Sequence, residues 1–270
     1  MRLPRLVMGI LVGALLATSG VVVQSVFLNP LADPYIIGIA SAATFGAVIA
    51  YLLGLSDVFY GIFAFLSASA LSIVIFKLAA HTRSISTLLI VGIAVSSFLG
   101  AFTSFAVYLI GEDSFRITAW MMGYLGGANW QKIALLLPPL LFCMAYFYAK
   151  RHELNIILNG DEEAKSLGLN VEKSKKSLLI VSSLIIGFSV AFTGMIGFVG
   201  LIIPHTLRMA LRTSSNAVLI PASALTGGLF LLFCDVIAKN ILSPVEIPIG
   251  VVTSFFGAPF FLYLAFRKHA

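Results

Sequence analysis

Nine apolar runs divide the chain. They lie near residues 6–27, 36–54, 60–79, 86–110, 131–149, 177–194, 196–210, 217–238 and 248–266. None alternates strictly, so continuous length locates them rather than periodicity. A bilayer crossing takes about 20 apolar residues, and only helices or closed barrels satisfy their backbone in lipid. Runs this long without alternation predict an all-α polytopic membrane protein with about nine transmembrane helices. Residues 1–270 read as a single transmembrane domain, in which 150–176 is the only sizeable hydrophilic stretch.

Composition narrows the classes further. Hydrophobic residues make up 60% of the chain and charged residues 10%, and the mean hydropathy is +1.05. A soluble domain carries about 25% charged residues. A soluble enzyme, a disordered chain and a nucleic-acid binder are excluded. Cys143 and Cys234 sit far apart inside apolar runs, which implies buried small hydrophobes, not a metal site or a disulfide.

The net charge of +6 reads as topology. Lys77, Arg83, Lys150, Arg151, Lys165, Lys173, Lys175, Lys176, Arg208, Arg212, Arg267 and Lys268 border breaks on one side. Placing those breaks inside puts 12 of the 17 Lys and Arg in the cytoplasm, with the C-terminus. Arg2, Arg5, Arg116, Lys132 and Lys239 fall outside. Nine spans ending inside then start outside, although the chain opens Met-Arg-Leu-Pro-Arg with nothing to carry those charges across. Two readings stand. Met1–Gly20 is a signal peptide with an apolar stretch Leu6–Ala17, or a preceding helix is missing from the front. The apolar run continues to Phe27, longer than a signal core.

Several residues invite finer readings. Small residues at four-residue spacing, Gly9 and Gly13, then Gly38, Ala42 and Gly46, suit close helix packing within one subunit or between two. Between 150 and 176, Asn159 or Asp161 is placed to cap a short helix that Gly168 ends. Leu158, Ala164 and Leu167 would form its apolar side, fit for a groove in another protein or simply for a solvated connector. Gly160-Asp-Glu-Glu-Ala-Lys165-Ser166 is no phosphate loop: no Gly precedes the Lys, and three acids would repel phosphate. ATP, if used, binds another subunit. Asp235 inside an apolar run needs a partner, and Lys239, one turn on, His205 and Arg208 are the candidates. Asp235, His205 and Arg208 are also the possible pathway residues, and no metal-ligand set forms around His205.

A series of motifs then points one way. In order they are Arg2-Leu-Pro-Arg5, Asn29-Pro-Leu-Ala-Asp-Pro34 and Trp120-Met-Met-Gly123 with Gly126 and Trp130. Glu163-Ala164, Leu167-Gly168 and Gly197-Phe-Val-Gly-Leu-Ile-Ile-Pro-His205 with Arg208 follow. Asp235, Ile247-Pro-Ile-Gly250 and Gly257-Ala-Pro259 complete them. With them the chain resembles the FecCD-type permease subunits of type II ABC importers, which take up iron-siderophores, heme and cobalamin.

That resemblance implies ten helices by the family pattern, so the first helix is expected to be missing here. It implies a membrane subunit, without catalysis or cofactor, in the inner (cytoplasmic) membrane of a prokaryote. Its partners would be two ATPase subunits, an extracytoplasmic substrate-binding protein, the lipid bilayer and a second copy or paired homologue. The translocation path would run between the copies, lined by early helices such as 6–27 and 86–110. Arg2, Arg5 and Lys239 match basic positions that meet carboxylates on the binding protein. Glu162, Glu163, Ala164, Leu167 and Gly168 match the element that seats in the ATPase. The expected cargo is a metal chelate, foremost an iron-siderophore. The alternative is a proton- or sodium-driven secondary transporter, for which Asp235 and His205 offer the intramembrane ionisable groups.

Overall fold

The computed structural model of the chain describes residues 3–35, 38–82 and 85–267. Arg2 therefore lies outside the described residues. Helices fill most of the rest. In chain order they are α1 Leu3–Val26, α2 Ile39–Leu52, α3 Asp57–Thr82, α4 Ile85–Ile110, α5 Phe115–Met121 and α6 Trp130–Ala149. They continue with α7 Arg151–Ile157, α8 Asp161–Ser166, α9 Val171–Thr193, α10 Val199–Leu211, α11 Asn216–Asn240 and α12 Ile249–Arg267. All nine apolar runs are helical.

Length separates those nine into two kinds. Six helical stretches among the described residues are long and apolar enough to cross a membrane: α1, most of α3, the stretch Ile90–Met121 through α4 and α5, α6, α9 and α11. The apolar helices α2 and α10 and the Ile249–Tyr263 part of α12 are shorter. With 14 and 13 residues, α2 and α10 reach about 21 and 20 Å, short of the ~30 Å hydrocarbon core. Each is entered through a left-handed residue, Gly38 at φ 85° and Phe198 at φ 68°. To cross, each would need non-helical backbone to complete the distance. Such backbone is tolerated at membrane depth only inside protein or beside a water-filled cavity.

The bundle is organised around α1. Of its residues 83% are buried, against 11% of Ile90–Met121. Glycines set the spacing. A Cβ on Gly13 would lie 2.3 Å from the Gly227 carbonyl oxygen of α11, and one on Gly20 would lie 1.9 Å from that of Gly200 in α10. The Gly46 position in α2 meets the Phe63 carbonyl of α3 at 2.3 Å. The small-residue spacing thus serves packing within this chain. The burial of α1 also corrects the expectation that residues 6–27 line a path between copies, because other helices of the same subunit cover them. The weakly buried α4 remains open to lipid or a partner.

The stretch 150–176, expected as a cytoplasmic coupling loop between two spans, is largely helical. It holds α7, α8 and the first turns of α9, which starts at Val171, six residues before its apolar run. Asn170 caps that start, its side chain accepting from the Lys173 N–H at 3.1 Å.

Candidate functional site

Three features of the bundle bear on function: the outward helix α8 at one end, a buried charge cluster at the other, and a cavity between them.

At the first end, α7 is sewn down before α8 begins. Leu154 and Ile157 are fully buried. The Asn155 side chain accepts from the backbone N–H and the amide of Asn216 at 2.8 and 2.9 Å. Lys150 and Ser174 both donate to Glu153 at 2.5 Å. Partial burial pushes the Glu153 carboxyl up, but these hydrogen bonds outweigh it and hold the group below its ordinary range. The next helix, α8, is a single rigid projection. Ala164 faces in, fully buried, while Glu162, Glu163, Leu167 and Gly168 face out. Three acids in its first turn complement the positive end of the helix dipole.

The capping differs from expectation. Gly160, at φ 106°, takes the N-cap position without a side-chain bond. Asp161 instead accepts from the Lys175 Nζ of α9 at 2.5 Å, so a cross-helix brace replaces the local cap. Gly168 does end the helix, at φ 84°. Its N–H reaches the Lys165 carbonyl at 2.9 Å and the Leu169 N–H reaches that of Ala164 at 3.1 Å, a Schellman closure. The expected apolar stripe is split, because Ala164 points inward and Leu167, 62% exposed, points away.

At the opposite end, Arg5 holds two carboxylates. Its Nη2 and Nε donate to Asp235 at 2.7–3.0 Å and its Nη1 to Glu246 at 2.8 Å. The partner of Asp235 is thus Arg5, 230 residues away, not Lys239, His205 or Arg208. The Arg5 side chain is 9% exposed and that of Asp235 is 3%. Of the three basic residues expected to meet a binding protein, Arg5 is turned inward, Lys239 is half-exposed on the last turn of α11, and Arg2 is outside the described residues.

Between the ends lies a cavity of about 740 Å³ lined by Asp33, Tyr35, Met122, Met195, Phe198, Phe255 and neighbours. Its walls are α12 and the breaks between other helices, tied together backbone to backbone. The Tyr124 N–H donates to the Thr193 carbonyl at 2.7 Å, Ile249 to Gly123 at 3.1 Å and Gly250 to Met122 at 3.1 Å. A Cβ on Gly194 would lie 1.9 Å from the Trp120 carbonyl oxygen, so only glycine permits this crossing.

Asp33 is the residue that sequence reasoning missed. Its carboxylate accepts from the Tyr35 N–H at 2.7 Å and from the Phe198 N–H, just before α10 begins. An acid there satisfies an orphan donor and complements the positive end of the helix dipole. The segment 27–35 climbs to reach it: Asn29 and Arg208 line a common cavity, and Phe198 stands ten residues of helix, about 15 Å, above Arg208. The available signal was an acid inside a polar break followed by Gly38 and a short apolar run.

The three expected intramembrane polar residues do not line this cavity. Asp235 is paired with Arg5. His205 packs edge-on against Phe260 of α12, ring centroids 6.1 Å apart. Arg208 donates from Nη1 to Gln24 of α1.

Known proteins place this architecture. The model of the FecCD transport family matches residues 1–267. A cobalamin import system permease protein of Halobacterium salinarum is 43% identical over 268 residues, covering 97% of this chain and 71% of that one. A hemin transport system permease protein of Yersinia pestis is 37% identical over 281 residues, covering 99% of this chain and 82% of its own. A solved inward-facing ABC transporter assigned to the metal-chelate type superposes with a TM-score of 0.92 at 33% identity, over 99% of this chain and 86% of that one. Matches that run the length of the chain in both sequence and structure settle its membership: this chain belongs to the FecCD transport family, as a transmembrane permease subunit of an ABC importer and not an enzyme.

Proposed function

We propose that this permease forms one half of a path for a metal chelate, an iron-siderophore, heme or cobalamin, in the cytoplasmic membrane of a prokaryote. The α8 end faces the cytoplasm with the C-terminus, because most Lys and Arg border that face. ATPase subunits seat on the exposed face of α8, and a substrate-binding protein docks at the Lys239 end. A second copy or a homologue supplies the other half of the path.

One observation carries this reading: α9 joins the two places that must communicate. Its first turns grip α8 through Lys175 and Asp161. Its last residue, Thr193, leads through Gly194 to Met195 on the cavity wall. A push on α8 is therefore delivered along a stiff helix of 23 residues, about 35 Å. The cavity suits a bulky, largely apolar cargo, since Met122, Met195, Phe198 and Phe255 face it beside one carboxylate.

The test is co-reconstitution with ATPase and binding-protein partners. Glu162→Lys with Glu163→Lys reverses charge on an exposed face and leaves the fold intact. We expect ATPase association and chelate uptake to be lost together. Unchanged association at low salt discards the coupling assignment. Gly168→Ala is a milder probe. A side chain in the left-handed conformation costs about 1–2 kcal/mol, here spent on the closure of α8. It should lower transport-coupled ATP hydrolysis while leaving the rest of the bundle unchanged, as amide exchange confined to 160–170 would show.

A further inference from the structure

Arg208 is a cation without a counter-charge among the described residues. It stands in the last turn of α10. Its Nη1 donates to the Gln24 Oε1 of α1, and its Nη2 is sealed from water with no acceptor. No carboxylate pairs with it among the described residues. Gln24 holds the guanidinium but does not neutralise it. The Gln24 amide is itself used, donating to the carbonyls of Gly200 and Leu201 at 3.3 and 3.1 Å. A cation drawn out of water without a counter-charge is costly.

The same side chain lines a second cavity, of about 490 Å³. The other walls are the end of α1 with Leu28, Asn29 and Pro30, the turn 158–160, and Ser214. Their chemistry is one-sided. Among the described lining residues Arg208 alone is charged; the acids that follow Gly160 stand outside the lining, Asp161 turned to Lys175 and Glu162 and Glu163 exposed. Asn29 spends its Oδ1 on the Leu31 N–H at 3.0 Å, which leaves its amide N–H groups to give. Asn159 and Ser214 add further donors. A cavity lined by a cation and several neutral donors, with no acid among its described lining residues, is complementary to an oxyanion.

We propose that this cavity binds a phosphate group at the α8 end of the bundle. The cavity lies where the apolar helices α1 and α10 end and the polar helices α7 and α8 begin, the boundary at which lipid headgroups are expected. A basic pocket between helices at this level takes an anionic phospholipid. Inorganic phosphate carries the same chemistry and is the other source. The occupant would touch Gly160, from which α8 springs, so bound phosphate would pin the root of the coupling helix to α1 and α10. That consequence rests on the permease reading; the binding does not.

The full chain, delipidated in a neutral maltoside detergent, is titrated separately with phosphatidylglycerol, phosphatidylcholine and inorganic phosphate. Native mass spectrometry counts retained lipid, and thermal unfolding reads protection. We expect phosphatidylglycerol to be retained and protective where phosphatidylcholine is not. Arg208→Gln should weaken that binding roughly tenfold or more, the usual worth of a hydrogen bond to a charged group. If Arg208→Gln folds poorly, Asn159→Asp sets a carboxylate at the exposed rim of the same cavity, keeps Arg208, and should abolish the selectivity. Protection by inorganic phosphate alone, lost in both variants, assigns the site to the free ion. Equal retention of both lipids without phosphate protection, or selectivity that survives both variants, overturns the proposal. Loss of ATPase association with phosphatidylglycerol binding intact would count against the coupling reading only.

Discussion

Asp235→Ala should destabilise the subunit by about 3–5 kcal/mol, the cost of leaving one member of a buried ion pair alone. The loss falls on Arg5. Its guanidinium would keep only Glu246, whose side chain is 35% exposed and so draws part of its solvation from water. Two native thiols report the unfolding. Cys143 and Cys234 are free and fully buried, so a fluorogenic maleimide reacts only as the bundle opens. The midpoint of labelling should fall on the order of 10 °C, at roughly 2–4 °C per kcal/mol for a chain of this size. Arg5→Met combined with Asp235→Leu should recover much of that loss, because a packed apolar pair replaces a broken ionic one. Costs that simply add in the double variant would show that the pair is not coupled.

Gly20→Leu carries the second large effect. Any Cβ at that position meets backbone of α10 at 1.9 Å, and no rotamer change relieves a backbone contact. The two helices must separate, which costs more than the 1–3 kcal/mol of ordinary overpacking. Separation would also disturb the Gln24 bonds to Gly200 and Leu201. The expected result is a sharp fall in folded protein recovered from membranes. Gly100→Leu in α4 is the control, since a Cβ there meets nothing within 4 Å. Its yield should stay near that of the parent. Equal loss in both variants would refute a packing cause.

What could be read beforehand, and what could not, follows from the range of each interaction. Continuous apolar length is local, and all nine runs became helices. The end of α8 at Gly168 was equally readable, because a Schellman closure is made within six residues. The partner of Asp235 was not. Helical spacing favoured Lys239 four residues on, but the nearest charge in space comes from the other end of the chain. Asp161 failed as a cap for a similar reason: Lys175, on another helix, offered it a stronger bond. Asp33 was hidden because a polar break reads as solvent-exposed until the fold draws it back into the bundle. The early start of α9 was masked by polar first turns, which continue a helix beyond the apolar stretch that revealed it.

The Arg5 cluster also bears on the order in which the molecule can be finished. The ribosome delivers Arg5 and then Asp235 only 230 residues later, about 10–50 s at ordinary rates of synthesis. Throughout that interval the helix that becomes the axis of the bundle lacks both Asp235 and its most extensive neighbour, α11. Insertion of α11 supplies both at once, bringing Asp235 to Arg5 and Gly227 to Gly13. Closure of the bundle is therefore a late event, and chains stopped before α11 should be left with an open centre for the cell's quality control to find.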